Sequence, residues 1–301
     1  RDALRNGADL VMAYSSCMAQ FVEDAPVPRV MEFGDLDSEK WAQYAQDTHG
    51  IQRLVYRREA RTLLEYERSI ARSFDVSLVV SPAEASVFEQ RTGVRPRVVG
   101  NGVDLERFRP DPSVPREPGL VVFTGIMDYR PNVDGCERFA TRVLPRVRAR
   151  VPGARFRIVG ARPTASIQAL AGDGIEVTGF VPDTADHLRR ASVAIAPLRL
   201  GRGLQNKILE AMACGTPLVA TTNATAGVDA SPEEHFRVAD TAEAFADAVI
   251  ELLLDPARAS ALAARARARV AERYPWERAL EEYDRAIDEA VERHAARATA
   301  C

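Results

Sequence analysis

Two patterns of apolar positions alternate along this chain. Short unbroken runs such as "LVMAYSS", "PRVMEF", "DVSLVV", "GLVVFTG", "ARFRIVG", "IEVTGF", "VAIAPL" and "PLVAT" are separated by longer stretches in which apolar residues recur every three or four positions. The runs are those of buried strands, and the stretches are those of amphipathic helices packed on them. In the first third, strands are predicted over Ala8–Ser16, Val27–Phe33 and Asp75–Ser81. Helices are predicted in "DSEKWAQYAQ", with Asp37 as N-cap, in "LVYRREARTLLEYERSIARSF", and in "PAEASVFEQRTG", which stops at Gly93.

The segment "RVVGNGVDLERFRPDPSVPREPG" then loses its periodicity to glycine and proline, which marks a domain boundary. Beyond it strand and helix alternate regularly as far as "TAEAFADAVIELLLD", and helices close the chain. Unalternating apolar strands interleaved with helices describe parallel sheets covered on both faces. The expected class is therefore α/β with two Rossmann-like domains: residues 1–97 as a partial first domain, 98–118 as a linker, 119–275 as the second domain and 276–301 as a terminal helix. The start at Arg1 rather than a methionine is read as the loss of an N-terminal piece.

Composition changes this picture little. At 301 residues, 46% apolar and 28% charged, the chain is of ordinary globular type, and its net charge of −3 gives no sign of nucleic-acid binding. Any anion site must be a local cluster. Cys17, Cys136, Cys214 and Cys301 lack metal or disulfide spacing, which favours a reducing cytoplasm. No apolar stretch reaches membrane-spanning length, and none reads as a signal peptide.

In open parallel sheets, ligands bind at the carboxyl ends of strands. "GRGLQNKILEAMACGTPLVAT" follows such an end. Gly203 permits close approach of a ligand, the amides of Leu204, Gln205 and Asn206 open a helix near Leu204, and Lys207 adds a point charge, a set of groups suited to phosphate. With Gly203, Lys207 and Glu210 at i, i+4 and i+7, Glu210 can take hydrogen bonds from a sugar's hydroxyls; the bland alternative is a surface Lys–Glu pair. In "FTGIMDYRPNVDG", Gly125 ends a strand, Arg130 can complement diphosphate charge, and Asn132 can cap a helix or touch the ligand. Turn and capping chemistry explains this loop equally well. "GFVPD" offers backbone groups at Phe180 and Val181 to a base edge, while "IVGARPTAS" lacks the glycine spacing of a dinucleotide site. Asp35 and Asp37 form a D-x-D triplet, which in principle can hold a divalent metal, although Asp37 already has a capping role.

"VVGNGVDLERFRP", "VVGARPTASIQALAGDGIEVTGFVPD" and "GRGLQNKILEAMACGTPLVAT", in that order, resemble the retaining GT-B glycosyltransferases of family 4, the group 1 type. "RVMEFGDLDSEKWAQYA" and "GIMDYRPNVDG" resemble more narrowly the sugar transferases of bacterial exopolysaccharide clusters linked to PEP-CTERM sorting. The resemblance implies metal-independent transfer with retention from a nucleotide-diphosphate sugar, a UDP-sugar favoured, to a saccharide or lipid-linked acceptor. It implies no resident cofactor, a cytoplasmic protein with possible peripheral membrane contact, and a last helix crossing back to the first domain. Glu210 is implied at the ribose, Gly203–Lys207 at the diphosphate and Val181 at the base, with Asp35, Lys207 and Glu210 as the catalytic group. Two positions depart from the family: Arg202 stands where a glutamate is frequent and can add phosphate charge to the donor site instead, and "FGD" stands where a histidine is frequent, for which Asp35 can substitute. The alternatives are a non-catalytic nucleotide-sugar-binding subunit and a GT-B sugar-nucleotide epimerase.

Overall fold

The computed structural model describes residues 7–201 and 203–300 and divides into two compact units. The first comprises residues up to Asn101, a short segment ending at Leu204, and the chain from Glu277 onward. The second comprises Gly102–Gly201 and Gln205–Trp276. Residues 98–118, expected as a linker, are thus shared between the units at Asn101/Gly102.

In the first unit, β1 (Val11–Tyr14), β2 (Arg29–Gly34), β3 (Val76–Val79) and β4 (Arg97–Val98) form a parallel sheet in sequential order. α1 (Asp37–Gln46), α2 (Gly50–Ser73) and α3 (Pro82–Thr92) fill the crossovers. Asp37 proves to be the first helical residue rather than the cap: Leu36 holds the N-cap position and makes no side-chain cap bond, while the Asp37 carboxylate pairs with Lys40 at 2.7 Å. α3 ends as its sequence predicts, with Gly93 in the left-handed region at φ 75°. Met31, Phe33, Ile70, Phe74 and Phe88 build a core in which the Phe33 and Phe88 rings meet edge to face at 4.8 Å.

The second unit is a six-stranded parallel sheet. It contains β5 (Leu120–Thr124), β6 (Arg155–Val159), β7 (Ile175–Val177), β8 (Val193–Ala196), β9 (Leu218–Ala220) and β10 (Arg237–Val238), in the order β10-β9-β8-β5-β6-β7. Every residue of β5, β8 and β9 is buried, which is why these strands read as unbroken apolar runs. The helices are α4 (Arg130–Arg138), α5 (Leu144–Arg150), α6 (Ala165–Gln168), α7 (Thr184–Arg190), α8 (Asn206–Ala213), α9 (Thr222–Thr225), α10 (Ala242–Leu254) and α11 (Pro256–Arg273).

Between α4 and α5 the helical path is broken by a π turn at Phe139–Val143. Pro145 cannot donate to the carbonyl one turn back, and the Leu144 amide reaches Phe139 O instead. The last helix, α12 (Trp276–Ala300), groups with the first unit from Glu277 onward. There Ala286 and Ala290 pack on Val30, Val76 and Leu78, and Glu289 pairs with Arg97 at 2.8 Å.

Candidate functional site

The strand order reverses between β5 and β8, because the chain winds outward from β5 through β6 and β7 and then returns to the other side of β5 at β8. Loops leaving the carboxyl ends of two such strands diverge and open a crevice, the usual ligand position in doubly wound sheets. Two expected segments meet there. After β5 come Gly125 and the loop into α4; after β8 comes the loop into α8, which carries Lys207 and Glu210.

Lys207 is the centre of this arrangement. Its Nζ donates to Asn132 Oδ1 at 2.6 Å and lies 4.6 Å from the centroid of the Phe123 ring. Asn132 is buried, 4% exposed, and its Nδ2 is fixed by Ile126 O at 2.8 Å, so the amide oxygen can point only at the lysine. Gly125 makes room: a Cβ there would stand 2.7 Å from Asn132 Nδ2 and 3.3 Å from Lys207 Nζ. Gly160, which follows β6 at φ 150°, is equally constrained, since a Cβ would run into Gly125 O.

Lys207 as a residue is half-buried, and its ammonium is the enclosed end. Burial holds that ammonium down at about 8, against an ordinary 10.5, and is opposed only in part by Cys136 and Glu210. No ion pair to Lys207 occurs among the described residues. Among them, the one hydrogen bond of its ammonium goes to a neutral amide. Burial likewise pushes the Glu210 carboxyl up, against the pull of Lys207 and Arg107. Glu210 is half-buried, and its carboxylate has no hydrogen bond among the described residues. The site therefore presents an enclosed cation with no ion-pair partner among the described residues and, one turn along, a carboxylate with no hydrogen bond among them.

α8 begins at Asn206 rather than near Leu204. Gln205 occupies the N-cap in an extended conformation and gives no side-chain bond to the first turn. Gly203 therefore lies outside the helix, and the stripe expected from Gly203 through Glu210 reduces to Lys207 and Glu210 at i and i+3. Gly203 has φ 70° and groups with the first unit together with Leu204. Its amide donates to Glu84 Oε1 at 3.3 Å, and a Cβ on it would lie 3.0 Å from Asp35 Oδ2. Asp35 and Gly203 are thus brought together within the first unit. Arg202 lies outside the described residues.

Arg130 is the first residue of α4, and Gln205 and Asn206 flank the start of α8. Val181 lies half-buried in the loop after β7, where Asp183 caps α7 through the Ala185 amide at 3.1 Å and pairs with Arg107 at the same distance. No group of three or more His, Cys, Asp or Glu side chains able to hold a metal occurs among the described residues. Nor is any described helix long and apolar enough to cross a membrane. Sequence reasoning passed over Phe123, under the lysine, and Arg107, beside Glu210. Phe123 reads only as one more apolar strand residue, and Arg107 lies about 100 positions upstream of its partner.

Residues 118–255 match the family described as "Glycosyl transferases group 1". The chain is 32% identical, over 72% of its length, to 62% of the GDP-mannose-dependent alpha-(1-6)-phosphatidylinositol monomannoside mannosyltransferase of Mycobacterium tuberculosis. It is 30% identical, over 60% of its length, to 48% of the phosphatidyl-myo-inositol mannosyltransferase of Propionibacterium freudenreichii. The chain thus spans about half to three fifths of the length of these relatives.

Among solved structures, sucrose-phosphate synthase of Thermosynechococcus elongatus superposes with a TM-score of 0.74 at 22% identity, covering 92% of this chain and 73% of that one. Anabaena HepE with UDP and glucose gives 0.73 at 15% identity, covering 95% and 80%. The fold class is that of GT-B glycosyltransferases, α/β with parallel sheets.

Proposed function

We propose that the second unit holds the diphosphate of a nucleotide-sugar donor at the carboxyl ends of β5 and β8, and that the protein transfers the sugar to a lipid-linked or saccharide acceptor in the synthesis of cell-surface glycans. The observation that carries this reading is Lys207, an enclosed ammonium held by one neutral amide and facing no carboxylate in an ion pair among the described residues. Burying such a charge unpaired is costly, and an arriving diphosphate supplies what is missing. Glu210 accepts hydrogen bonds from the ribose hydroxyls in this reading, and the backbone near Val181 meets the base.

In the transfer step the bond between the anomeric carbon and the diphosphate oxygen breaks while the acceptor's hydroxyl oxygen bonds to that carbon from the same face and passes its proton to the departing diphosphate oxygen, giving retention. Negative charge collects on the departing diphosphate. The Lys207 ammonium, with Arg130 and the start of α8, stabilises it where it forms. The diphosphate carries the donor's only charges, so these protein cations perform the neutralisation without a metal.

For the base we favour GDP-mannose over the UDP-sugar expected from the motifs. The Mycobacterium tuberculosis relative at 32% identity is named for GDP-mannose, whereas the UDP-bound structures share about 15% and speak for the fold alone. Calorimetric titration with GDP-mannose, UDP-glucose and ADP-glucose, each with and without EDTA, tests this. We expect binding of GDP-mannose insensitive to EDTA, weakened by Lys207→Ala by about 1.5–3 kcal/mol as for a charge-assisted contact. Lack of binding by any nucleotide sugar, or an affinity untouched by Lys207→Ala, overturns the reading.

A further inference from the structure

We propose that Asn132 is a positioning residue that anchors the Lys207 ammonium through a neutral oxygen, so that its whole positive charge stays available to the donor's diphosphate. The inference rests on the diphosphate reading of this site and goes beyond it, because it moves Asn132 from ligand contact to support of the lysine.

Both ends of the Asn132 carboxamide are engaged. Its Nδ2 is taken by Ile126 O at 2.8 Å, its Oδ1 accepts from Lys207 Nζ at 2.6 Å, and the residue is 4% exposed. The bond to Ile126 fixes which end of the amide faces the lysine, because a flipped amide would set two donors against each other. Phe123 supplies the second wall, 4.6 Å from Nζ, and it too attracts a cation without neutralising it. An aspartate at 132 would have the same shape and a stronger grip, but it would cancel the charge that the ligand needs. The chain uses carboxylates freely elsewhere to hold cations, as in Asp134 on Arg199 and Glu289 on Arg97, so a neutral anchor at this one enclosed ammonium is a distinct choice.

The composition makes this directly measurable. Only two of the 40 basic residues are lysines, Lys40 and Lys207. Protein carrying ¹³C at the lysine ε-carbon therefore gives two side-chain signals, with Lys40, on the first unit and paired to Asp37, as internal reference. The signals are titrated between pH 6 and 11 in the parent, Asn132→Ala and Asn132→Asp, and GDP-mannose and UDP-glucose are titrated calorimetrically into all three.

We expect the parent Lys207 to titrate at about 8, against the ordinary 10.5 of a lysine. Asn132→Ala should lower its midpoint further, and Asn132→Asp should raise it by more than one pH unit, while Lys40 stays still in both. Donor affinity at pH 7.5 should fall in both variants, and by tenfold or more in Asn132→Asp. A structural role alone would change thermal stability without moving the Lys207 midpoint in opposite directions. Unmoved midpoints with donor binding by the parent overturn the role of Asn132 alone. Opposed midpoint shifts without donor binding by the parent overturn the diphosphate reading, and with it the purpose assigned to the anchor. If neither variant folds, the parent decides: a Lys207 midpoint level with that of Lys40 overturns the proposal.

Discussion

The enclosed lysine predicts two pH responses of opposite sign. Burial favours the neutral amine in the free protein, where Lys207 titrates at about 8 rather than 10.5. A depressed cation is a burden on the fold below its folded pKa, and the burden lifts as pH rises from there toward the unfolded value. At about 1.36 kcal/mol per pH unit, the full burden is about 3 kcal/mol, of which about 1.4 kcal/mol is removed between pH 7 and pH 9. Diphosphate binding requires the charged form, so donor affinity changes the other way. The fraction of free protein carrying the ammonium falls about tenfold over those two pH units, and affinity follows it, by about 1.4 kcal/mol. GDP-mannose is a suitable titrant because its diphosphate is esterified at both ends and does not itself titrate in this range. Calorimetry at pH 7, 8 and 9 should show the affinity roughly halved by pH 8 and about tenfold lower by pH 9. The thermal midpoint of the free second unit should rise over the same interval. Lys207→Met should bind weakly and with no alkaline decline. Affinity in the parent that is level from pH 7 to pH 9, or a decline equally steep in Lys207→Met, refutes the reasoning that links the enclosed ammonium to the ligand.

Glu210→Gln should leave the melting temperature level or slightly higher, since burial already disfavours the carboxylate, while nucleotide affinity falls by about 1.5–3 kcal/mol if its charge accepts ribose hydroxyls; the pairing of calorimetry with thermal denaturation checks both. Gly125→Ala drives a methyl to within 2.7 Å of Asn132 Nδ2 and should abolish donor binding with the fold kept, as judged by circular dichroism. In the first unit, Ala290→Asp places a charge where the residue is fully buried against β2 and β3. It should destabilise that unit by roughly 3 kcal/mol or more in urea unfolding, whereas Glu289→Gln, on the half-exposed side of α12, should cost under about 1 kcal/mol.

What could be read from the sequence was set by the range of the interactions involved. β5 and β8 were legible because burial on both faces makes every residue apolar, and Gly93 because a left-handed helix end needs glycine. The start of α8 was misplaced by two residues because "LQN", after Gly203, has no breaker. What ends the loop is the conformation of Gln205, while Gly203 is drawn to Glu84 and Asp35 of the first unit. The break in the helix after α4 needed only Pro145, which was visible, but its π geometry depends on where the Leu144 amide finds an acceptor. At the site, Lys207 and Glu210 stood out as charges in an apolar helix. Asn132 could not be assigned between cap and ligand contact, because the deciding partner, Ile126 O, is a backbone atom whose position no side-chain pattern encodes.

The choice of lysine at 207 follows from the same geometry. In a chain whose cations are otherwise almost all arginine, a guanidinium would seem the default partner for a diphosphate. It would also remain charged at every accessible pH. The space around Nζ argues against it: Asn132 at 2.6 Å, the Phe123 ring at 4.6 Å and the backbone at Gly125 leave room for a compact ammonium and not for a planar fork. Lys207→Arg therefore keeps the charge but displaces Asn132 or itself. The variant should lose at least tenfold in donor affinity at pH 7, and what affinity it retains should not decline up to pH 9. An arginine variant that binds as tightly as the parent at pH 7 would show that charge alone, without the seat formed by Gly125, Phe123 and Asn132, suffices for the diphosphate.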